Sequence, residues 1–193
     1  MVKLRKIERK IRKIKKTFDN LERGWKGTII SFIIAFLLAY SLHRGLAFAL
    51  STPEAAVIIY SSSMQHDNPE VTHYAWLEKN LNYSKEFIDS WPFSNGLYIG
   101  DIVFLQGQKE YKVGDVIVYP AKNYPLPIIH RIIKINEDGT YQTKGDNNFG
   151  QLSFEKRVEK EKIYGKVIFA IPRLGYPKVI LAKIYEGVKN AIL

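Results

Sequence analysis

The sequence predicts a mainly β protein: one antiparallel domain carried on a single N-terminal apolar helix, with a small helical insertion and a C-terminal amphipathic helix. Three observations predict it. Gly27 to Leu50 is a 24-residue apolar stretch broken only by His43-Arg44. Beyond it, short β-branched runs alternate with turn signals, as at Gly100-Asp101, Gly114-Asp115 and Asp138-Gly139. Charge is also divided unevenly: residues 1–26 hold 11 Lys/Arg against 3 acids, whereas the other 167 residues hold 18 against 16. The net charge of +10 therefore belongs to an arm, and the body is nearly neutral.

Within that arm, Leu4, Ile7, Ile11 and Ile14 recur at three- and four-residue spacing among lysines and arginines, so residues 1–26 read as a basic amphipathic helix. Its partner is a membrane surface or a nucleic acid, and the apolar stretch that follows favours the membrane. Residues 27–50 are long enough to cross a bilayer, which takes roughly 20 apolar residues, with Arg44 snorkelling or pairing near the far end. A cleaved leader would carry a shorter basic region and a small-residue cleavage site. By the positive-inside rule the N-terminus is cytoplasmic and residues 51–178 lie outside, a single-pass arrangement at the cell membrane. A domain outside the cell with its cationic arm inside is a poor nucleic-acid binder, and none is expected as a partner; membrane lipid is.

After the Ser51-Thr52-Pro53 break, Ala56 to Tyr60 reads as a buried strand that ends in Ser61-Ser62-Ser63-Met64. Residues 66–97 interrupt the β pattern: Val71, Tyr74, Leu77 and Leu81 have helical spacing, giving one or two short helices. Strands are then expected after Gly100-Asp101 and Gly114-Asp115, from Pro127 to Ile135, from Thr140 to Lys144 and from Tyr164 to Ile171. Residues 179–193 form the amphipathic C-terminal helix, too short and too charged to span; it either lies on the membrane surface or packs on the domain.

With no cysteine and four histidines in the chain, thiolate chemistry is excluded and the candidates for a neutral-pH base are few. His43 is in the apolar segment, His66 and His73 are in the insertion, and His130 is in a strand. A metal site from His66, Asp67 and His73 is disfavoured because no further ligand has a recognisable spacing, and no cofactor is expected. A serine at the end of a strand is either a turn residue or a nucleophile.

Ser-x-Ser-Met at 61–64, Gly-Asp-Ile-Val at 100–103, Gly-Asp-Val-Ile-Val at 114–118, Ile-His-Arg-Ile at 129–132 and Lys-Gly-Asp-Asn-Asn at 144–148 occur in one order. In this the sequence resembles type I signal peptidases, closest to the archaeal and endoplasmic-reticulum branch with a Ser-His pair, over about residues 28–177. Gly165 to Phe169 and the Ile171-Pro172…Gly175-Tyr176-Pro177 stretch also look archaeal. The resemblance implies a signal-peptidase-like fold and a membrane-bound serine endopeptidase that removes N-terminal signal peptides from exported preproteins, in association with the export machinery. It implies Ser63 as nucleophile, His130 as general base, and Ser61 as a lining of the oxyanion hole. The family's second aspartate is missing, since its position holds Leu152. Asp146 is expected to orient His130; Glu155 as a substitute, or a bare dyad, are the alternatives. Asp101 and Asp115 read as structural. The missing aspartate also motivates a second reading, a membrane-anchored binding or scaffold protein with reduced catalysis. The insertion at 66–97 is expected to wall or cover the cleft.

Overall fold

The computed structural model describes residues 9, 10, 12, 13, 25–122 and 124–192. The chain divides into two units, Met1–Leu46 and Ala47–Leu193. Of residues 1–26 only Arg9, Lys10, Arg12, Lys13, Trp25 and Lys26 are described, all helical; the rest of the amphipathic helix expected there lies outside the described residues. Helix α1 spans Trp25–Ala49. Its stretch Gly27–Ala49 has a mean hydropathy of 1.7 and by length and composition could cross a membrane.

Six strands form one antiparallel sheet in the order β1-β2-β6-β3-β4-β5: β1 Ala56–Ile58, β2 Ile102–Gln106, β3 Val116–Tyr119, β4 Ile128–Ile135, β5 Tyr141–Lys144 and β6 Gly165–Ile171. The turn residues set this layout. Gly100 and Gly114 adopt left-handed φ of +87° and +94° just ahead of β2 and β3. The aspartate after each ties its turn, Asp101 Oδ2 accepting from Tyr98 N and Asp115 Oδ2 from Lys112 N. Asp138-Gly139 closes the β4–β5 hairpin, with Asn136 N donating to Thr140 O at 2.8 Å.

Strand β3 is buried on both faces, which is why its sequence, Val-Ile-Val-Tyr, is apolar at every position. Val116 and Val118 pack with Ile59, Met64 and Leu97. Ile117 and Tyr119 pack with Tyr111, Ile132 and Tyr141 on the other side. Truncating a fully buried isoleucine such as Ile117 to alanine costs about 2–5 kcal/mol.

The insertion holds a π-helical turn (Glu70–Tyr74), helix α2 (Ala75–Leu81) and helix α3 (Lys85–Asp89). Asn82, in the left-handed region at φ 57°, ends α2, and the Ser84 side chain caps α3 by accepting from Phe87 N. Leu77, Ile88 and Trp91 close a third cluster over Ile133 of β4. Helix α4, Tyr176–Ile192, starts three residues ahead of the expected 179, with Pro177 in its first turn, where a missing N–H costs nothing.

Candidate active site

Strand β1 delivers Ser63. Beyond Ile58, Ile59 N donates to Asp101 O and Gly100 N to Ile59 O, so the extended path continues to the serines. The chain then turns, with Gln65 N donating to Ser62 O at 3.0 Å. Met64 is 1% exposed and plugs the core, and its carbonyl accepts from Leu97 N at 2.9 Å. With Met64 pinned inward, Ser63 faces a cleft of about 360 Å³ and is half-buried there. Ser61 Oγ and Ser63 Oγ lie 3.2 Å apart, in hydrogen-bond contact.

The Gly145–Asn148 turn holds the serine loop from the other side. Asn147 N donates to Ser63 O at 2.8 Å, and Asn147 Nδ2 donates to Ser62 O at 3.2 Å and to Asp67 at 3.0 Å. Gly145 permits this approach. A Cβ there would stand 2.8 Å from both Ser63 O and His130 Nε2 and 2.7 Å from the Asn148 amide, closer than real Cβ atoms come. His130 Nε2 and the Ser63 main chain therefore flank the same point.

His130 comes from β4, opposite Ile117, and is 4% exposed. Its Nδ1 contacts Glu155 Oε1, and Glu155 Oε2 accepts from Leu152 N at 2.6 Å. Glu155 is fully buried in the single helical turn Ser153–Lys156. With Nδ1 donating to this carboxylate, Nε2 is left as the basic nitrogen on the serine side. His130, Ser63 and Ser61 line the same cleft, with Asn148 and Leu152 beside them. Its long walls are the Val57–Tyr60 and Tyr124–Ile129 segments.

Asp146 is placed elsewhere, which corrects the expectation that it orients His130. Arg131, the next residue of β4, points to the opposite face of the sheet. Arg131 Nε donates to Asp146 Oδ1 at 2.9 Å and Nη2 to Oδ2 at 2.6 Å, while Nη1 donates to Pro92 O and Gly114 O. His66 Nε2 lies 3.0 Å from Asp146 Oδ2 and His73 Nδ1 lies 3.4 Å from Oδ1. The physical reason is strand alternation: β5 pairs Lys144 with Arg131, and the chain leaving β5 turns onto the arginine side. Burial, the largest single influence on Asp146, pushes its carboxyl up. The Arg131 charge and the hydrogen bonds from His66 and Arg131 together outweigh it and hold Asp146 far below the usual carboxylate range. Burial likewise brings His73 down to about 4 against the attraction of Asp146, with Arg131, His66 and Lys144 adding to the fall.

Lys144 is also buried, its Nζ donating to Thr72 O at 2.6 Å and Gly145 O at 2.9 Å and lying over the Trp76 ring. Burial lowers it to about 8, partly offset by Asp146 and Glu155. These contacts dock the insertion onto the face of β4 away from the cleft. No insertion residue lines the cleft, so the expected wall or lid is a buttress behind it.

Among the described residues one group could hold a metal: His66, His73 and Asp146, whose ligand atoms lie within 4.8 Å of one another. Asp67, expected with the two histidines, bonds Asn147 instead. The donor set fits a metal poorly, because Arg131 already occupies both Asp146 oxygens and its buried charge would repel a dication. Arg131 and Lys144 were not singled out from the sequence. The signal for Arg131 is its parity in β4: the residue after a candidate base faces the other way, and a buried arginine needs a carboxylate.

No family model matches the chain. It is similar to the signal peptidase complex catalytic subunit sec11 of Sclerotinia sclerotiorum, 25% identical over 166 residues that cover 80% of each chain. SEC11 of Pyricularia oryzae is 24% identical over 176 residues, 86% of this chain and 85% of that one. SEC11 of Lachancea thermotolerans reaches 44% over a shorter 89 residues, 40% of this chain and 53% of its own.

Proposed function

The chain belongs to the type I signal peptidase family, and from that premise we propose that Ser63 and His130 cut signal peptides from exported preproteins in the cleft they share. The observation that carries the assignment is the convergence of Ser63 and His130 on one cleft, with Glu155 against the far nitrogen of the histidine.

An extended peptide enters between the Val57–Tyr60 and Tyr124–Ile129 walls. Among the described residues strand β1 pairs only with β2, which leaves its outer edge for main-chain hydrogen bonds from the substrate. The apolar lining receives the residues flanking the scissile bond. His130 Nε2 takes the proton of Ser63 Oγ as the oxygen attacks the scissile carbonyl. Glu155 holds the Nδ1–H and balances the imidazolium that forms. The Ser63 main-chain N–H and the Ser61 hydroxyl hold the oxyanion; losing one such donor costs about 2.7–4 kcal/mol of barrier in serine proteases. Collapse breaks the C–N bond, and His130 returns the proton to the leaving amine. Water, deprotonated by the same nitrogen, then releases the acyl group from Ser63. Ser63 and His130 are not hydrogen-bonded with the cleft open, and such bonds tighten when substrate excludes water.

The scaffold reading rested on the missing aspartate at position 152. Glu155 supplies a carboxylate to His130 and takes away that motive. Helix α1 anchors the enzyme once in the membrane, the basic arm keeps the N-terminus in the cytoplasm, and the catalytic unit works on the other side at the cell membrane. Residues 1–26, 27–50, 51–178 and 179–193 then serve as arm, anchor, catalytic domain and terminal helix. Membership of the archaeal branch is supported by Gly165 to Phe169 and Ile171 to Pro177, although the relatives named above are fungal. Association with other export components follows from those relatives being subunits of a complex.

The test is cleavage of a signal-bearing precursor in lipid by the wild type, Ser63→Ala and His130→Ala. The wild type is expected to cut and both variants to fall to background; cleavage undiminished in Ser63→Ala would overturn the assignment.

A further inference from the structure

Helix α4 turns its apolar side outward. Val179 is 2% exposed and makes the inward contact, with Ala182 half-buried beside it. Ile180, Leu181, Ile184 and Tyr185 fall on the opposite half of the helix, with Tyr176 at its edge, and there Leu181 is 66% and Tyr185 71% exposed. A surface helix of a soluble domain does the reverse, burying its stripe and wetting its charges. Here no described part of the domain covers the stripe, and exposed Lys178 and Lys183 border it on either side. The helix sequence holds three lysines against one glutamate. An apolar stripe edged by tyrosines and lysines matches the chemistry of a bilayer interface, where aromatic rings sit at headgroup level and ammonium groups meet anionic phosphates. At 17 residues with those charges the helix is too short and too polar to span.

We propose that the outward face of α4 lies flat in the surface of an anionic phospholipid bilayer. The proposal deepens the proposed function and rests on α1 anchoring the chain in a membrane. The entry to α4 is fixed to the cleft wall: Gly175 N donates to Gly100 O at 2.7 Å, and a Cβ at Gly175 would strike Ile58, which lines the cleft. A helix held in the lipid surface therefore holds the cleft at the bilayer, where the apolar core of a signal peptide ends and its cleavage site emerges.

The chain has no cysteine, so single cysteines report depth without background. Leu181→Cys, Ile184→Cys and Lys183→Cys, spin-labelled in the full-length protein, are placed one copy per nanodisc containing phosphatidylglycerol, with Leu37→Cys in α1 as control. Accessibility to oxygen against a water-soluble nickel complex reads the depth. Labels at 181 and 184 are expected to be several-fold richer in oxygen contact than the label at 183, and to lose that excess in zwitterionic discs at raised salt. Water-exposed labels at 181 and 184 would overturn the proposal. So would burial that appears only with two copies per disc, which assigns the face to a second copy, or depth that ignores anionic lipid and salt. A water-exposed label at 37 would instead overturn the anchoring of α1, a failure read separately from that of α4.

Discussion

Two neighbouring residues of β4 each meet a buried carboxylate, and the two meetings differ. Arg131 and Asp146 form a closed group: a full positive charge spans both carboxylate oxygens, two histidines add contacts, and the remaining guanidinium protons reach main-chain carbonyls. His130 and Glu155 form an open one: the carboxylate has the imidazole and the Leu152 N–H, and the far side of the imidazole faces a cleft. A fully paired buried charge is inert and rigid. A buried carboxylate held by one ring and one N–H gains most when that ring becomes a cation, the event that the proposed general base undergoes. One side of the strand is built for permanence, and the other for a change of charge.

The largest expected effect breaks the open side. Ser63→Ala and His130→Ala should each lower kcat by about 10⁶-fold, as loss of a nucleophile or its base does in serine proteases; thermal stability should stay nearly unchanged in Ser63→Ala and fall in His130→Ala, which leaves Glu155 buried without its partner. Next comes Glu155→Gln, which keeps the volume but reverses the hydrogen-bond preference at Nδ1; kcat should fall by about 10³–10⁴-fold in precursor cleavage. Asp146→Asn should do the opposite, costing stability in a denaturant titration and leaving kcat within a few-fold for the protein that remains folded. If the two phenotypes were exchanged, the division between the faces would fail.

On the closed side Arg131→Met should destabilise by about 3–5 kcal/mol, because Asp146 is left buried without its cation. The smallest effect is a pH dependence. His73 titrates near 4 in the folded protein and near 6.5 unfolded, so the unfolded chain binds the proton first and stability falls as pH drops through that window. The slope is at most about 1.4 kcal/mol per pH unit, and His73→Phe should flatten it in acid melts. Lys144 has the same sign at higher pH. Its folded value near 8 lies below the 10.5 of a free lysine, so stability should rise from pH 8 toward 10.5, and Lys144→Met should remove that rise.

Much of the architecture could be read locally. Turn pairs such as Asp138-Gly139 and Gly114-Asp115 carry their backbone requirement in two letters, and β3 advertises burial on both faces by having no polar residue. Ser63 and His130, the proposed nucleophile and base, sit at the end and in the middle of stretches that the sequence marks as strands, and the fold brings both to one cleft. Asp146 was assigned to the wrong neighbour because a contiguous Gly-Asp-Asn-Asn says nothing about which face of the sheet it will join. That depends on the Arg131–Lys144 register, a fact of pairing rather than of local sequence. Glu155 lies nine residues past Asp146 in a one-turn helix, and nothing in Ser153-Phe154-Glu155-Lys156 marks its carboxylate as destined for full burial. The outward stripe of α4 had the same periodicity as an inward one; only its docking through Val179 tells them apart.

The alternation of β4 has a last consequence. Imidazole and guanidinium are one residue apart, so sliding this strand by a single position would carry the guanidinium toward the cleft and Glu155 and the imidazole against Asp146, exchanging the partners of two buried carboxylates together. The Asn136–Thr140 hairpin and the exchange between Ile132 N and Asp115 O and between Gly114 N and Ile132 O hold the strand against that slip. Under the proposed mechanism, cleavage of a substrate therefore also reports that β4 has paired in this register.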